Sequence, residues 1–247
     1  MQFLVNLLAS ISTHLLPTAC IICQQFQTES ICATCLSTLE NNSLIHYECC
    51  HQCGIPLQVR ELNKKRCSCC VKHPPFFDET YCLDRYEGIL QDALHQLKYQ
   101  KRIVFAYGLA KAWDHIQFHL QEQCQADYLL PVPLSTEKLL SRGFNQSWEL
   151  VRRIQYGRPA KKLPHAIKRH HHSHHQAGNT LSVRQDAVQE MFYIDSQYVN
   201  RLVGKTVIVF DDVMTSGATL NEIARILKAN GVVRVINWTL LRTTRLA

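Results

Sequence analysis

Thr206-Val-Ile-Val-Phe-Asp-Asp-Val-Met-Thr-Ser-Gly-Ala-Thr219 decides the fold. Thr206 to Phe210 is a short apolar, β-branched run, as expected of a strand buried on both faces of a parallel sheet. Asp211 and Asp212 stand where that strand should end. Thr215-Ser216-Gly217-Ala218-Thr219 forms a turn, and Leu220, Ile223, Ala224 and Leu227 begin a helical stripe directly after it, closed by Asn230-Gly231. A strand turning tightly into a helix presents unpaired backbone N–H groups, which attract a phosphate. Gly217 lets the backbone curl closely around the anion. The hydroxyls of Thr215, Ser216 and Thr219 add donors, and the two carboxylates can accept hydrogen bonds from vicinal ribose hydroxyls. Capping alone would explain an isolated Thr-Ser-Gly. Four apolar residues, two adjacent acids and the complete turn together favour a phosphorylated ribose.

The flanking sequence supports an α/β reading. Val232 to Leu241 reads as a strand after the helix, and Tyr128-Leu-Leu-Pro-Val132 as another buried strand ending in a proline turn. Helices are expected over Ile89 to Tyr99, with Leu90, Leu94 and Leu97 on one face, over Ile103 to Gln123, and around Trp148, Leu150, Val151 and Ile154. Lys161 to Ala187 is polar, basic and weakly periodic, so it reads as a loop, and His170 to His175 as a solvated stretch of it. Strand, helix and strand in this order predict a parallel sheet flanked by helices. The 247 residues suffice for one such domain and a small satellite. Pro74-Pro75 marks the expected boundary, with residues 1–75 forming the satellite and 76–247 the α/β domain. The net charge of +7 permits an anionic ligand or nucleic acid and requires neither.

The satellite is defined by cysteine. Eleven of the twelve cysteines lie between Cys20 and Cys82. They include four Cys-x-x-Cys pairs: Cys20 with Cys23, Cys32 with Cys35, Cys50 with Cys53, and Cys67 with Cys70. Four thiolates give zinc a closed tetrahedral shell of the structural kind. The pairs therefore point to one or two zinc ions in a double ribbon, paired in sequence or crossed. Cys49 and Cys69 are spares able to replace a neighbour, whereas Cys82 and Cys124 read as buried small apolar residues. A ribbon of this size needs metal to fold.

Metal-bound thiolates imply a reducing compartment, so a cytoplasmic location is expected. The apolar amino terminus challenges that reading. No Lys or Arg precedes Arg60, so the basic start of a signal peptide is missing. Phe3, Leu4, Leu7, Leu8, Ile11 and Leu15 follow helical spacing and predict an amphipathic helix. No stretch reaches membrane-spanning length.

The central segment closely resembles the phosphoribosyl pyrophosphate (PRPP) signature of type I phosphoribosyltransferases. Leu97-Lys-Tyr99, Pro131-Val-Pro-Leu134, Arg142-Gly-Phe-Asn-Gln146 and the cysteine pairs extend the resemblance to the ComF family, from about Pro17 to Leu241. The resemblance implies that Asp211 and Asp212 hold the ribose, that Thr215 to Thr219 hold its 5′-phosphate, and that Mg2+ bridges ribose and pyrophosphate oxygens. It places Pro133, Leu134 and Ser135 at the pyrophosphate. Arg142 and Lys98 are then phosphate ligands or solvated helix residues, and Asn145 and Gln146 orient a ligand or pin a turn. The family's usual Gln-x-x-Leu-Ser-x-x-x-Arg-x-x-Asn-Val stretch is altered: Gln176 and Arg184 are present, but Asn179-Thr180 and Ala187 replace expected residues. That puts catalysis in question. Two functions follow from the resemblance. One is phosphoribosyl transfer to an unidentified acceptor. The other is non-catalytic PRPP binding coupled to single-stranded DNA or a DNA-uptake protein. For the second, Arg60, Lys64, Lys65, Arg66 and Lys72 supply a modest basic patch, and no aromatic stacking positions are evident.

Overall fold

A computed structural model describes residues 18–118, 125–155, 160–170 and 191–244. The amphipathic helix expected before Pro17, Cys124, all but His170 of the histidine tract, and the Gln176 to Ala187 stretch lie outside the described residues. None of the described helices is long and apolar enough to cross a membrane.

The described residues begin with a ribbon. Strands β1 (Thr18–Ala19) and β2 (Phe26–Gln27) pair antiparallel around the first cysteine pair, and helix α1 (Ala33–Asn42) leaves from the second. Two 3-10 turns, Leu44–His46 and Val59–Lys64, lead to the short helix α2 (Ser68–Lys72) after the fourth pair's first cysteine. The α/β region follows as β3 (Glu79–Arg85), α3 (Gly88–Tyr99), α4 (Phe105–Ile116), β4 (Tyr128–Pro131), α5 (Thr136–Arg142), α6 (Gln146–Val151), β5 (Lys161–Lys162), β6 (Ile167–Arg169), β7 (Phe192–Ile194), α7 (Ser196–Leu202), β8 (Thr206–Met214), α8 (Ala218–Ala229) and β9 (Arg234–Arg242).

Five strands form one sheet in the order β3-β9-β8-β4-β5, and every neighbouring pair is parallel. The expected strands occupy its centre. The structure adds β3 and β5 at the edges. Two expectations are corrected. Lys161 to Arg169 is not a loop: Lys161 and Lys162 pair with Tyr128 and Leu129, and β6 pairs antiparallel with β7. Leu163, Ala166 and Ile167 of this segment are buried, too sparsely spaced among basic residues to show a period. β8 also runs through both aspartates to Met214 rather than stopping before them.

Alternation along β8 divides the interior between the two faces of the sheet. Ile208 and Phe210 join Leu90, Leu94 and Leu97 of α3, Leu109 and Trp113 of α4, and Cys20, Ile21 and Leu36 of the ribbon. Val207 and Val209 join Leu220, Ile223 and Leu227 of α8, together with Phe77, Cys50, Cys53, Cys67 and Cys70. Each cysteine group is thus part of a different apolar core. The first approaches α4 so closely that a Cβ on Gly108 would lie 2.4 Å from Ile21 Cδ1. Trp113 is the pivot of its core, with ring centroids 5.5 Å from Phe210 and 5.2 Å from Trp238. Replacing Trp113 with Ala should lower stability by about 3–5 kcal/mol. Urea unfolding checks this: a lower midpoint at unchanged slope is expected, and an unchanged midpoint would remove Trp113 from that role.

Candidate functional site

Parallel strands place their carboxyl ends on one edge of the sheet, where ligands of such sheets gather. Here that edge carries the turn after β8 and the segment after β4. Gly217 opens the twelve-residue helix α8 with φ +81, a left-handed conformation that L side chains rarely adopt. A Cβ at Gly217 would also lie 2.6 Å from Met214 Cε. The backbone angle is what requires glycine, since the Met214 methyl ends a flexible side chain that can move aside. Asp211, Val213 and Met214 line one small concavity together with Thr215 to Leu220. Ser216 Oγ accepts from Ala218 N at 3.4 Å, tightening the turn.

The two aspartates have different surroundings. Asp212 is only 4% exposed. Its Oδ2 is ion-paired with Lys98 from the last turn of α3, and its Oδ1 accepts from Gln146 Nε2 at 3.1 Å. Burial works against ionisation of Asp212, but the Lys98 ammonium and the Gln146 amide outweigh it and hold the carboxyl below its ordinary range. Asp211 is partly exposed and faces the turn. Its Oδ1 accepts from Asp212 N at 2.9 Å and from Ser147 Oγ at 3.5 Å. Burial of the carboxyl, then the neighbouring Asp212 charge, push Asp211 upward. Lys98 and Gln146 thus favour the charged form of Asp212, whereas burial and that neighbouring charge disfavour it at Asp211.

The other residues singled out from the sequence lie around this pair. Val132 N donates to Phe210 O at 2.9 Å, so Pro133, Leu134 and Ser135 emerge from β4 beside the aspartates. Ser135 Oγ caps α5 by accepting from Lys138 N at 3.3 Å. Asn145 pins its turn, donating to Val132 O at 2.9 Å and accepting from Trp148 N at 3.2 Å. Arg142 donates to Gln146 Oε1, and its guanidinium lies 5.8 Å from the centre of the Tyr99 ring. Gln146 therefore joins Arg142 to Asp212. Ser147 and Arg242 also reach the site's framework and were not singled out. Ser147 sits inside an otherwise ordinary helix start, so nothing local marks it. Arg242 is the first charge after a long apolar strand, and that position was the available signal.

The cysteines gather in sequential rather than crossed order. Cys20, Cys23, Cys32 and Cys35 form one group, and Cys50, Cys53, Cys67 and Cys70 the other, with the four Sγ atoms of each within 4.8 Å of one another. Cys23 and Cys32 sulfurs are 3.9 Å apart, and Cys53 and Cys67 sulfurs 3.6 Å. A tetrahedron with Zn–S bonds of about 2.3 Å has edges of about 3.8 Å. Both groups therefore fit a structural zinc. They also share one wiring. Cys32 N donates to Cys20 Sγ and Cys35 N to Cys32 Sγ, while Cys67 N donates to Cys50 Sγ and Cys70 N to Cys67 Sγ. Cys49 and Cys69 stay outside both groups, and Cys82 is buried in β3.

The sequence is similar to several known proteins. A phosphoribosyl transferase domain model matches residues 162–245. The chain is 26% identical to competence protein F of Haemophilus influenzae over 90% of this chain and 96% of that protein. It is 26% identical to the DNA utilization protein YhgH of Escherichia coli K12, over 86% of this chain and 90% of that protein. Competence protein ComFC of Bacillus subtilis is 25% identical over 87% of this chain and 85% of its own length.

The acid pair yields a prediction with opposite signs. The raised Asp211 contributes stability that is complete below the ordinary carboxylate range and is lost as pH rises through its elevated folded value. Asp211→Asn should therefore be more resistant to urea than the native chain at neutral and alkaline pH, with a flatter pH dependence. Lys98→Met should cost about 3–5 kcal/mol, because it strands a buried carboxylate, and adding Asp212→Asn should recover most of the loss. Urea titrations across pH check both. A neutral Lys98→Met effect would sink the ion-pair assignment.

Proposed function

This chain is a ComF-family protein with a phosphoribosyltransferase domain, and on that premise we propose that it binds phosphoribosyl pyrophosphate together with Mg2+. The observation that carries the reading is the Gly217 turn. It combines a left-handed glycine, an α8 N-terminus and the Asp211 carboxyl in one concavity. Thr215, Ser216, Gly217, Ala218 and Thr219 would hold the 5′-phosphate, since backbone N–H groups and hydroxyls there suit a dianion. Asp211 would accept a ribose hydroxyl directly. Asp212 can share that role only if its pair with Lys98 opens, and Lys98 would then be free to meet a phosphate. The segment Pro133 to Ser135 would flank the pyrophosphate, with Arg142 a short reach away. Carboxylate oxygens at the site fit a hard cation, and Mg2+ would neutralise the pyrophosphate leaving group. Transfer to an acceptor would break the anomeric C–O bond, and Asp211 would stabilise positive charge developing at that carbon.

A second reading is PRPP binding without transfer, coupled to single-stranded DNA. One surface favours it. Tyr99 and Tyr107 are 61% and 54% exposed. Arg153 lies 4.1 Å from the Tyr107 ring centre, and the His95 and Tyr99 rings are 4.5 Å apart. Tyr99 follows Lys98 directly, so this aromatic and basic surface begins beside the acid pair. Bases stack on such rings while guanidinium groups meet phosphates. The names of the relatives, DNA utilization protein and competence protein, point the same way.

Calorimetry with PRPP and Mg2+ tests the first reading. Binding is expected, with loss on combining Asp211→Ala and Asp212→Ala and at least a ten-fold weakening, roughly, in Gly217→Val. Unchanged affinity in both would refute the site. Pyrophosphate release on adding nucleobases separates the two readings: release supports transfer, whereas binding without release supports the second. Under the second, retention of single-stranded DNA should fall with salt, and Tyr99→Ala with Tyr107→Ala should weaken it by about 1–3 kcal/mol per lost stack.

A further inference from the structure

Arg242 ends β9, between Arg85 of β3 and Met214 of β8 in the sheet register. It is 6% exposed, and its guanidinium meets only chain oxygens among the described residues. Nε donates to Cys53 O at 2.9 Å. Nη1 donates toward Met214 O at 3.0 Å, Thr215 O and Thr243 O at 2.8 Å. One side chain thus holds the knuckle of the second cysteine group and the first residue of the Gly217 turn at once. No carboxylate pairs with it among the described residues, although a buried guanidinium ordinarily needs an anion. Two anionic features lie along its contacts. Zinc with four thiolates is formally a dianion, and Cys53 belongs to such a group. The turn it grips on the other side is the proposed phosphate site. Packing repeats the link. Phe77 and Met214 share an apolar core with Cys50, Cys53, Cys67 and Cys70, and Phe77 Cζ and Met214 Cε both border Gly217.

We propose that Arg242 is a positioning residue coupling the Cys50-Cys53-Cys67-Cys70 site to the Gly217 turn, so that metal in that site and a phosphorylated ligand in the turn stabilise one another. This rests on the PRPP reading for the ligand side only. The Cys20-Cys23-Cys32-Cys35 group lies in the opposite core, and among the described residues no Arg242 bond reaches it, which makes it an internal control. Coupling of this kind is reciprocal: what the metal does for ligand affinity, the ligand does for metal retention.

The test uses the full-length zinc-loaded protein and Arg242→Gln and Arg242→Lys variants. Native mass spectrometry follows zinc loss to a chelator with and without PRPP and Mg2+, and Cys23→Ser identifies the phase that belongs to the first group. Calorimetry measures PRPP affinity. In the native chain PRPP should slow zinc loss from the second group alone. In Arg242→Gln that zinc should leave faster without ligand, PRPP should no longer protect it, and PRPP affinity should fall about ten-fold, the loss of one charged hydrogen bond. Arg242→Lys keeps the charge and should recover part of the affinity. A residue that merely braced the ribbon would speed zinc loss in Arg242→Gln yet leave PRPP protection intact, and that result overturns the proposal. So does ligand-free zinc loss equal to the native rate. Absence of PRPP binding in the native chain overturns the functional reading and the coupling with it, and the ligand-free zinc rates then report only whether Arg242 holds the knuckle.

Discussion

A carboxylate buried at the end of a central strand must have its charge answered inside the protein. β8 has strands on both sides, and neither supplies a cation to Asp212. The answer to Asp212 has to come from a helix lying over the sheet, and Lys98 in the last turn of α3 supplies it. Much of the surrounding architecture serves this meeting. Leu90, Leu94 and Leu97 bury the inner face of α3 and hold Lys98 over the sheet's edge. Asn145 fixes the start of α6 so that Gln146 meets the second carboxyl oxygen. Asp211, lacking a lysine of its own, is left electrostatically strained and directed toward the concavity. A carboxyl perturbed in this way and lining a concavity is a feature that clusters at functional sites.

The ribbon belongs to the same economy of charge and packing. It is too small to bury a core of its own. Its two cysteine groups instead contribute to the two faces of the sheet's interior, one beside Trp113 and α4, the other beside Phe77 and α8. The groups are wired alike by N–H to sulfur bonds but differ in setting. Cys23 is exposed, whereas all four sulfurs of the second group are buried. A repeated local design has thus been placed in two unequal environments.

The parts of the fold visible in the sequence were those with strong local periodicity. β4, β8, β9, α3 and α8 fall where apolar runs and stripes place them. β3 was not visible, because Glu79, Asp84 and Arg85 interrupt its apolar positions, and it is an edge strand with one neighbour. β5 and β6 were hidden among lysines. In the site, the Gly217 turn and the cysteine spacing were legible because each residue type has a local reason to be there. The bond between Lys98 and Asp212 was not, since it joins positions far apart in the chain. Nor were the aromatic positions Tyr99 and Tyr107, which become a surface only when α3 and α4 pack together. The roles of Gln146 and Arg242 likewise exist only after folding.

The strand order has one more consequence, which concerns time. β9 lies between β3 and β8, yet it follows both in the chain. During synthesis the second cysteine group can gather as soon as Cys70 has left the ribosome. β3, by contrast, waits for most of the chain to be made before its one strand neighbour among the described residues exists. An unpaired strand edge held open that long invites wrong pairing. A stage with the second knuckle assembled and the sheet incomplete is therefore open to the nascent protein, and β9 on its arrival joins β3 to the other strands.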